Sequence, residues 1–152
     1  PNTPAAVRRG ITAACANGLV SDGQRALCQG LLEAVGEVVW VEDEGLIDPV
    51  TALSGSGPAY VFLMIECMAE AGVAAGLPAD IAARLARATV AGSGELARQS
   101  DEPADQLRRN VTSPGGTTEA ALGVLMEDKD GLQQLMTRAL DAATRRSREL
   151  AG

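Results

Sequence analysis

Residues 58–75 carry a run with no solvated side: Val61, Phe62, Leu63, Met64, Ile65, Met68 and Val73 leave only Glu66 and Glu70 as charges. Pro58 suits the first turn of a helix, where a missing N–H costs nothing, and Gly76 suits its end. A helix that is apolar all round is enclosed all round. A chain of 152 residues makes one ordinary domain. In so small a body, full enclosure of one helix calls for a second copy, so an interlocked homodimer is expected. Trp40, Tyr60 and Phe62 are the only aromatics in a chain that is 46% apolar. Alanine fills much of that share, which favours closely packed helices.

The chain has two textures. Residues 10–16 form a short apolar run ended by Asn17-Gly18, a turn pair. Ser21 or Asp22 can cap a helix over residues 23–35, with Ala26, Leu27, Gly30, Leu31 and Ala34 on its inner face. Gly36 stops it, and residues 37–42 read as a β-branched strand. Two strands and a helix cannot enclose a core, so residues 1–43 are expected to be the end of a dinucleotide-binding α/β domain of Rossmann type, present here as a β-α-β remnant. Residues 44–152 read as helical throughout. Gly55-Ser56-Gly57 interrupts the first helical stretch. Pro78 opens a helix with Ile81, Leu85, Ala88, Gly92 and Leu96 inward, and a final helix covers residues 130–150. The fold class is therefore mainly α.

Several chemistries are excluded by what the chain lacks. Its 13 basic and 20 acidic residues give a net charge of −7, and no basic stripe with aromatic stacking platforms exists, so no nucleic-acid partner is expected. No run of 18 apolar residues and no signal-peptide pattern is read, so neither is a membrane partner. Cys15, Cys28 and Cys67 lack a C-x-x-C pair and read as buried thiols of a reduced, cytoplasmic protein. Histidine is absent, which removes imidazole bases, Ser–His nucleophiles and most transition-metal sites. No metal site is expected. Lys129 is the only lysine, so Schiff-base chemistry would rest on it alone.

The feature richest in chemistry is the loop at residues 113–118, which opens onto a helix. Gly115 and Gly116 permit unusual dihedrals, so successive N–H groups can converge on a carboxylate or phosphate at the positive helix end. Thr117 and Thr118 add hydroxyl donors. A plain glycine turn with capping threonines would read the same way locally. Asp101 and Glu102, side by side before Pro103, are either a general acid pair or solvated residues ahead of a helix. Gly55-Ser56-Gly57 matches neither a dinucleotide fingerprint nor a P-loop, since no strand precedes it and no lysine follows.

Three blocks in order resemble the pyrroline-5-carboxylate reductase family: Leu53-Ser54-Gly55-Ser56-Gly57-Pro58-Ala59-Tyr60, then Ala75-Gly76-Leu77-Pro78, then Val111-Thr112-Ser113-Pro114-Gly115-Gly116-Thr117-Thr118. Pro1-Asn2-Thr3-Pro4-Ala5 resembles a segment late in that family's cofactor domain. The resemblance implies hydride transfer from NADPH or NADH to the C=N carbon of 1-pyrroline-5-carboxylate, giving proline, the last step of its biosynthesis. It implies that Ser113, Gly116, Thr117 and Thr118 hold the substrate carboxylate, with the Thr118 hydroxyl near the ring nitrogen. Asn110, Val111 and Asn2 would face the cofactor, Thr51 would be a polar active-site residue, and Asp101 would be a carboxylate near the proton-transfer step. The family architecture implies a helical dimerisation domain interlocked with its twin, either as the dimer alone or in rings of dimers. No G-x-G-x-x-G follows a strand here, so the chain is expected to lack the family's N-terminal cofactor part and to be inactive alone. The alternative is a helical dimerisation module that binds a small carboxylate without catalysis.

Overall fold

A computed structural model describes all 152 residues, Pro1–Gly152. Helices account for 68% of them, and the only sheet is a parallel pair, so the mainly α architecture with a small β-α-β piece holds. The chain divides into two compact units, Pro1–Tyr60 with Thr137–Gly152, and Val61–Met136.

In the first unit, strand β1 (Gly10–Cys15) pairs in parallel with β2 (Gly36–Val41), in register from Gly10 opposite Gly36 to Cys15 opposite Val41. The connecting helix α1 (Asp22–Glu33) starts in a capping box. The Gln24 N–H donates to Ser21 Oγ at 3.4 Å, and Ser21 N–H donates to Gln24 Oε1 at 2.9 Å. Gly36 is needed where the strands meet, because its φ is +154° and a Cβ there would fall 1.9 Å from Gly10 O.

Helix α1 meets the sheet with its polar side. Trp40 Nε1 donates to Gln29 Oε1 at 2.6 Å, and the Arg25 guanidinium lies 4.4 Å over the Trp40 ring. The stripe expected to face inward (Ala26, Leu27, Gly30, Leu31 and Ala34) is exposed. Periodicity marks an apolar face, but which surface covers it is decided by what packs there, and nothing in this unit does. Cys28 is exposed with that face; Cys67 is exposed on a later helix, and Cys15 is half-buried, so the three thiols are free but not the buried set expected.

The chain opens on a 3-10 turn (Thr3–Val7). The helix α2 (Ile47–Val50) runs into a π-helical turn (Thr51–Gly55) and then into α3 (Gly57–Ala74). Gly55-Ser56-Gly57 is therefore a change of helical pitch rather than a break. The stretch Glu44–Ala74 is long and apolar enough to cross a membrane by length and composition, although it contains no unbroken run of 18 apolar residues. The C-terminal part of helix α7 (Leu132–Ala151) belongs to this unit. Its Ser147 Oγ donates to Asp48 Oδ1 at 2.6 Å, ahead of the π turn.

The second unit holds most of α3 with α4 (Ala79–Gln99), α5 (Ala104–Asn110) and α6 (Thr117–Leu125). Buried positions on α4 are Ala82 and Ala86, at 2% and 4% exposure, one step round from the expected stripe. Gly72 of α3 sits so close to Ala82 that a Cβ on it would lie 3.2 Å from the alanine methyl. Small residues make the contacts within the chain, and the larger Ile81, Leu85 and Leu96 stay exposed. Phe62, at 58% exposure, and its neighbours Val61, Leu63, Met64, Met68 and Val73 do likewise. No large side chain anywhere in the chain is fully buried.

Candidate functional site

The loop at residues 113–118 follows from local chemistry. Ser113-Pro114-Gly115-Gly116 is a turn closed by Gly116 N–H donating to Ser113 O at 3.0 Å. Pro114 second and Gly115 third, with φ +72°, is the pattern of a type II turn. The positive φ therefore belongs to Gly115. Gly116 has φ −83°, which any residue adopts, and is glycine for want of space: a Cβ would lie 2.5 Å from Ser113 Oγ and 3.0 Å from Ser113 O.

Helix α6 starts on this turn with Gly116 as its N-cap. The first intrahelical bond is Ala120 N–H to Gly116 O at 3.2 Å, so helix geometry leaves the N–H groups of Thr117, Thr118 and Glu119 without intrahelical acceptors. Gly115 N–H donates to the carboxylate of Glu119 at 2.7 Å. The loop thus already holds one carboxylate of its own chain beside the positive helix end. Glu119 was not singled out from sequence, although an acid three residues after an N-cap is the signal for such a reach back. Ser113 and Thr117 are exposed, and Gly116 and Thr118 are half-buried.

Beside this loop in sequence, α5 ends at Asn110, whose amide is clamped at both ends. Asn110 Nδ2 donates to Glu102 Oε2 at 2.9 Å, and Gln106 Nε2 donates to Asn110 Oδ1 at 2.7 Å. Glu102 and Asp101 do not act as a pair: Glu102 turns to Asn110, and Asp101 stays exposed in the bend before Pro103. Asp105 in the same helix is held below the ordinary aspartate range by the hydrogen bond from Arg109, 2.7 Å long, with the guanidinium charge adding to it. Val111 follows Asn110 with 66% exposure, an apolar surface at the mouth of the loop.

The first unit gathers Asn2 and Thr51. Thr51 begins the π turn and is exposed on a cleft of about 160 Å³ lined by Pro1, Ile11, Ala13, Val50 and Ser54. Asn2 Nδ2 donates to Ser54 O at 3.1 Å, and Ile11 N–H donates to Asn2 Oδ1 at 3.0 Å. Two of the four hydrogen-bonding positions of that amide are engaged within the chain, and two remain.

In the first unit the open positions of the Asn2 amide, and in the second the exposed Val111 face and the open positions of the Asn110 amide, each have the chemistry that a nicotinamide takes. The strand-to-helix turn after β1 has a single glycine, Gly18, and cannot cradle a pyrophosphate in the usual way.

A family model described as pyrroline-5-carboxylate reductase dimerisation matches residues 44–150. A pyrroline-5-carboxylate reductase of Synechocystis sp. is 51% identical over 150 residues, covering 99% of this chain and 55% of the relative. The solved structure of such a reductase from Coxiella burnetii superposes with a TM-score of 0.92 at 45% identity, covering 99% of this chain and 55% of the other. The Plasmodium falciparum enzyme, solved with NADP bound, superposes at 0.84 with 34% identity, covering 100% of this chain and 61% of the other. The chain spans about half the length of the curated relatives it matches. On this evidence, the chain belongs to the pyrroline-5-carboxylate reductase dimerisation family.

Proposed function

We propose that this chain is the substrate-binding and self-associating part of a pyrroline-5-carboxylate reductase, which reduces the C=N bond of 1-pyrroline-5-carboxylate to give proline. The observation that carries the reading is the start of α6: a type II turn delivers unpaired N–H groups and two threonine hydroxyls at a positive helix end. A carboxylate is the ligand that such an arrangement takes, and Glu119 on the Gly115 N–H is an internal instance of that chemistry.

When bound, the nicotinamide of NAD(P)H supplies the hydride. The chain's own residues do the rest. Ser113, Gly116 and Thr117 hold the substrate carboxylate, and the Thr118 hydroxyl hydrogen-bonds the ring nitrogen, which gains a proton as the carbon gains hydride. Asp101, the carboxylate that the family resemblance places near the proton-transfer step, assists that proton. Asn110, Val111 and Asn2 face the cofactor, and Thr51 offers a hydroxyl to the reacting ring. Self-association supplies the cover that α3 lacks: the exposed apolar side chains from Val61 to Val73 are what a second copy would enclose. Residues 1–43 remain assigned to the cofactor domain and 44–152 to the helical domain, and the proposed location is the cytoplasm.

The test is Thr118→Val in the natural protein that carries this chain. Loss of the hydroxyl costs about 1–3 kcal/mol of transition-state stabilisation, roughly ten- to a hundredfold in kcat/KM, with the melting temperature kept. Unchanged kinetics with a lowered melting temperature would make the loop a helix cap. Carboxylate binding without any turnover in that protein would favour a binding module over an enzyme.

A further inference from the structure

We propose that Asn2 is a positioning residue for Thr51: its amide supplies to Ser54 O the hydrogen bond that Pro58 cannot, and so fixes the π turn on which Thr51 stands. The inference rests on the reading of Thr51 as an active-site hydroxyl.

In an unbroken α-helix Ser54 O would accept the N–H of residue 58. Residue 58 is proline and has none, so this carbonyl is orphaned inside a half-buried helix. Asn2 Nδ2 takes the vacant place at 3.1 Å, reaching across 52 positions of sequence. Its other end accepts the N–H of Ile11 at 3.0 Å, near the start of β1. With a carbonyl on one side and an N–H on the other, the amide has one orientation that satisfies both. The π turn is thereby tied to the sheet.

Further side chains hold the same turn. Ser54 Oγ donates to Val50 O at 3.0 Å, and Tyr60 OH donates to Ala52 O at 3.0 Å, while Ala52 itself is buried. Ser56 N–H donates to Thr51 O at 2.9 Å, the five-residue step that defines a π turn. Such a turn carries one residue more than an α turn. Slipping to the α pattern would swing Thr51 by about 100° around the axis relative to α3. The network therefore sets the direction of the Thr51 hydroxyl, and Asn2 is its only member from outside the helical stretch.

The experiment is a double-mutant cycle in the natural protein carrying this chain, read as kcat, both KM values and melting temperature. Asn2→Asp keeps the acceptor for Ile11 N–H and sets an acceptor against Ser54 O. It should lower kcat between about tenfold and a hundredfold with the KM for pyrroline-5-carboxylate little changed, the scale for a misplaced active-site group. In the Thr51→Val background the same substitution should cost almost nothing more, because both act through one group. Pro58→Ala returns an N–H to Ser54 O and should restore the melting temperature of Asn2→Asp, which keeps the cycle readable if the single variant folds poorly. Additive losses of kcat, or a raised KM for NAD(P)H with kcat intact, would overturn the positioning role while leaving Thr51 in place. A Thr51→Val enzyme with full kcat would overturn the reading of Thr51 itself, and the inference with it.

Discussion

Alanine at each of the two glycines of the 113–118 turn should separate the backbone's needs from the ligand's. At Gly115 φ is +72° and nothing lies within 4 Å of a built Cβ, so the whole effect is conformational. A non-glycine residue in that region costs about 1–2 kcal/mol, which lowers the melting temperature by roughly 2–8 °C for a chain of this size. At Gly116 the backbone is extended and unstrained, but the new methyl would lie 2.5 Å from Ser113 Oγ. The hydroxyl must swing away, at about 0.5–1.5 kcal/mol if it leaves its rotamer well. A hydrogen bond to a charged carboxylate is then lost, at about 1.5–3 kcal/mol. Gly116→Ala should therefore lower kcat/KM for pyrroline-5-carboxylate by roughly ten- to a hundredfold, while Gly115→Ala lowers the melting temperature and leaves kcat/KM nearly unchanged. Thermal melts by circular dichroism and steady-state kinetics on the same two variants of the natural protein that carries this chain decide it. Equal effects on both observables, or a fully active Gly116→Ala, would refute the assignment of Ser113 to the carboxylate.

Gly36→Ala should open the β1–β2 pair, since the methyl would overlap Gly10 O; an unshifted fluorescence and melt of Trp40, the single tryptophan, would contradict this. Phe62→Glu should shift sedimentation toward monomer by placing a charge in the face proposed to meet a second copy, and an undiminished dimer would count against α3 as that face. Asp105, paired with Arg109, should titrate by carboxyl NMR below the ordinary aspartate range. Because its folded value is depressed, its support for α5 is complete above the unfolded aspartate pKa and fades as pH falls through the lower folded value. An ordinary midpoint for Asp105 would remove that pH dependence.

What local chemistry controls was legible in the residues. The Ser21–Gln24 box sets where α1 starts, Gly36 sets where β2 begins, and Ser113-Pro114-Gly115-Gly116 is a turn whose hydrogen bond closes over three residues. The site loop could be found because everything that shapes it lies within a few positions. The family followed from the same short blocks.

Which face of a helix turns inward was not legible, because amphipathicity does not name the partner. On α1 the apolar stripe stays exposed while Gln29 and Arg25 meet Trp40. On α4 the close contacts go to Ala82 and Ala86, since only small residues allow the approach to Gly72, and the larger apolar residues are left for another surface. The π turn at Thr51 is likewise a tertiary product. Proline at 58 withdraws a hydrogen bond, but only the fold brings Asn2 from 52 residues away to replace it.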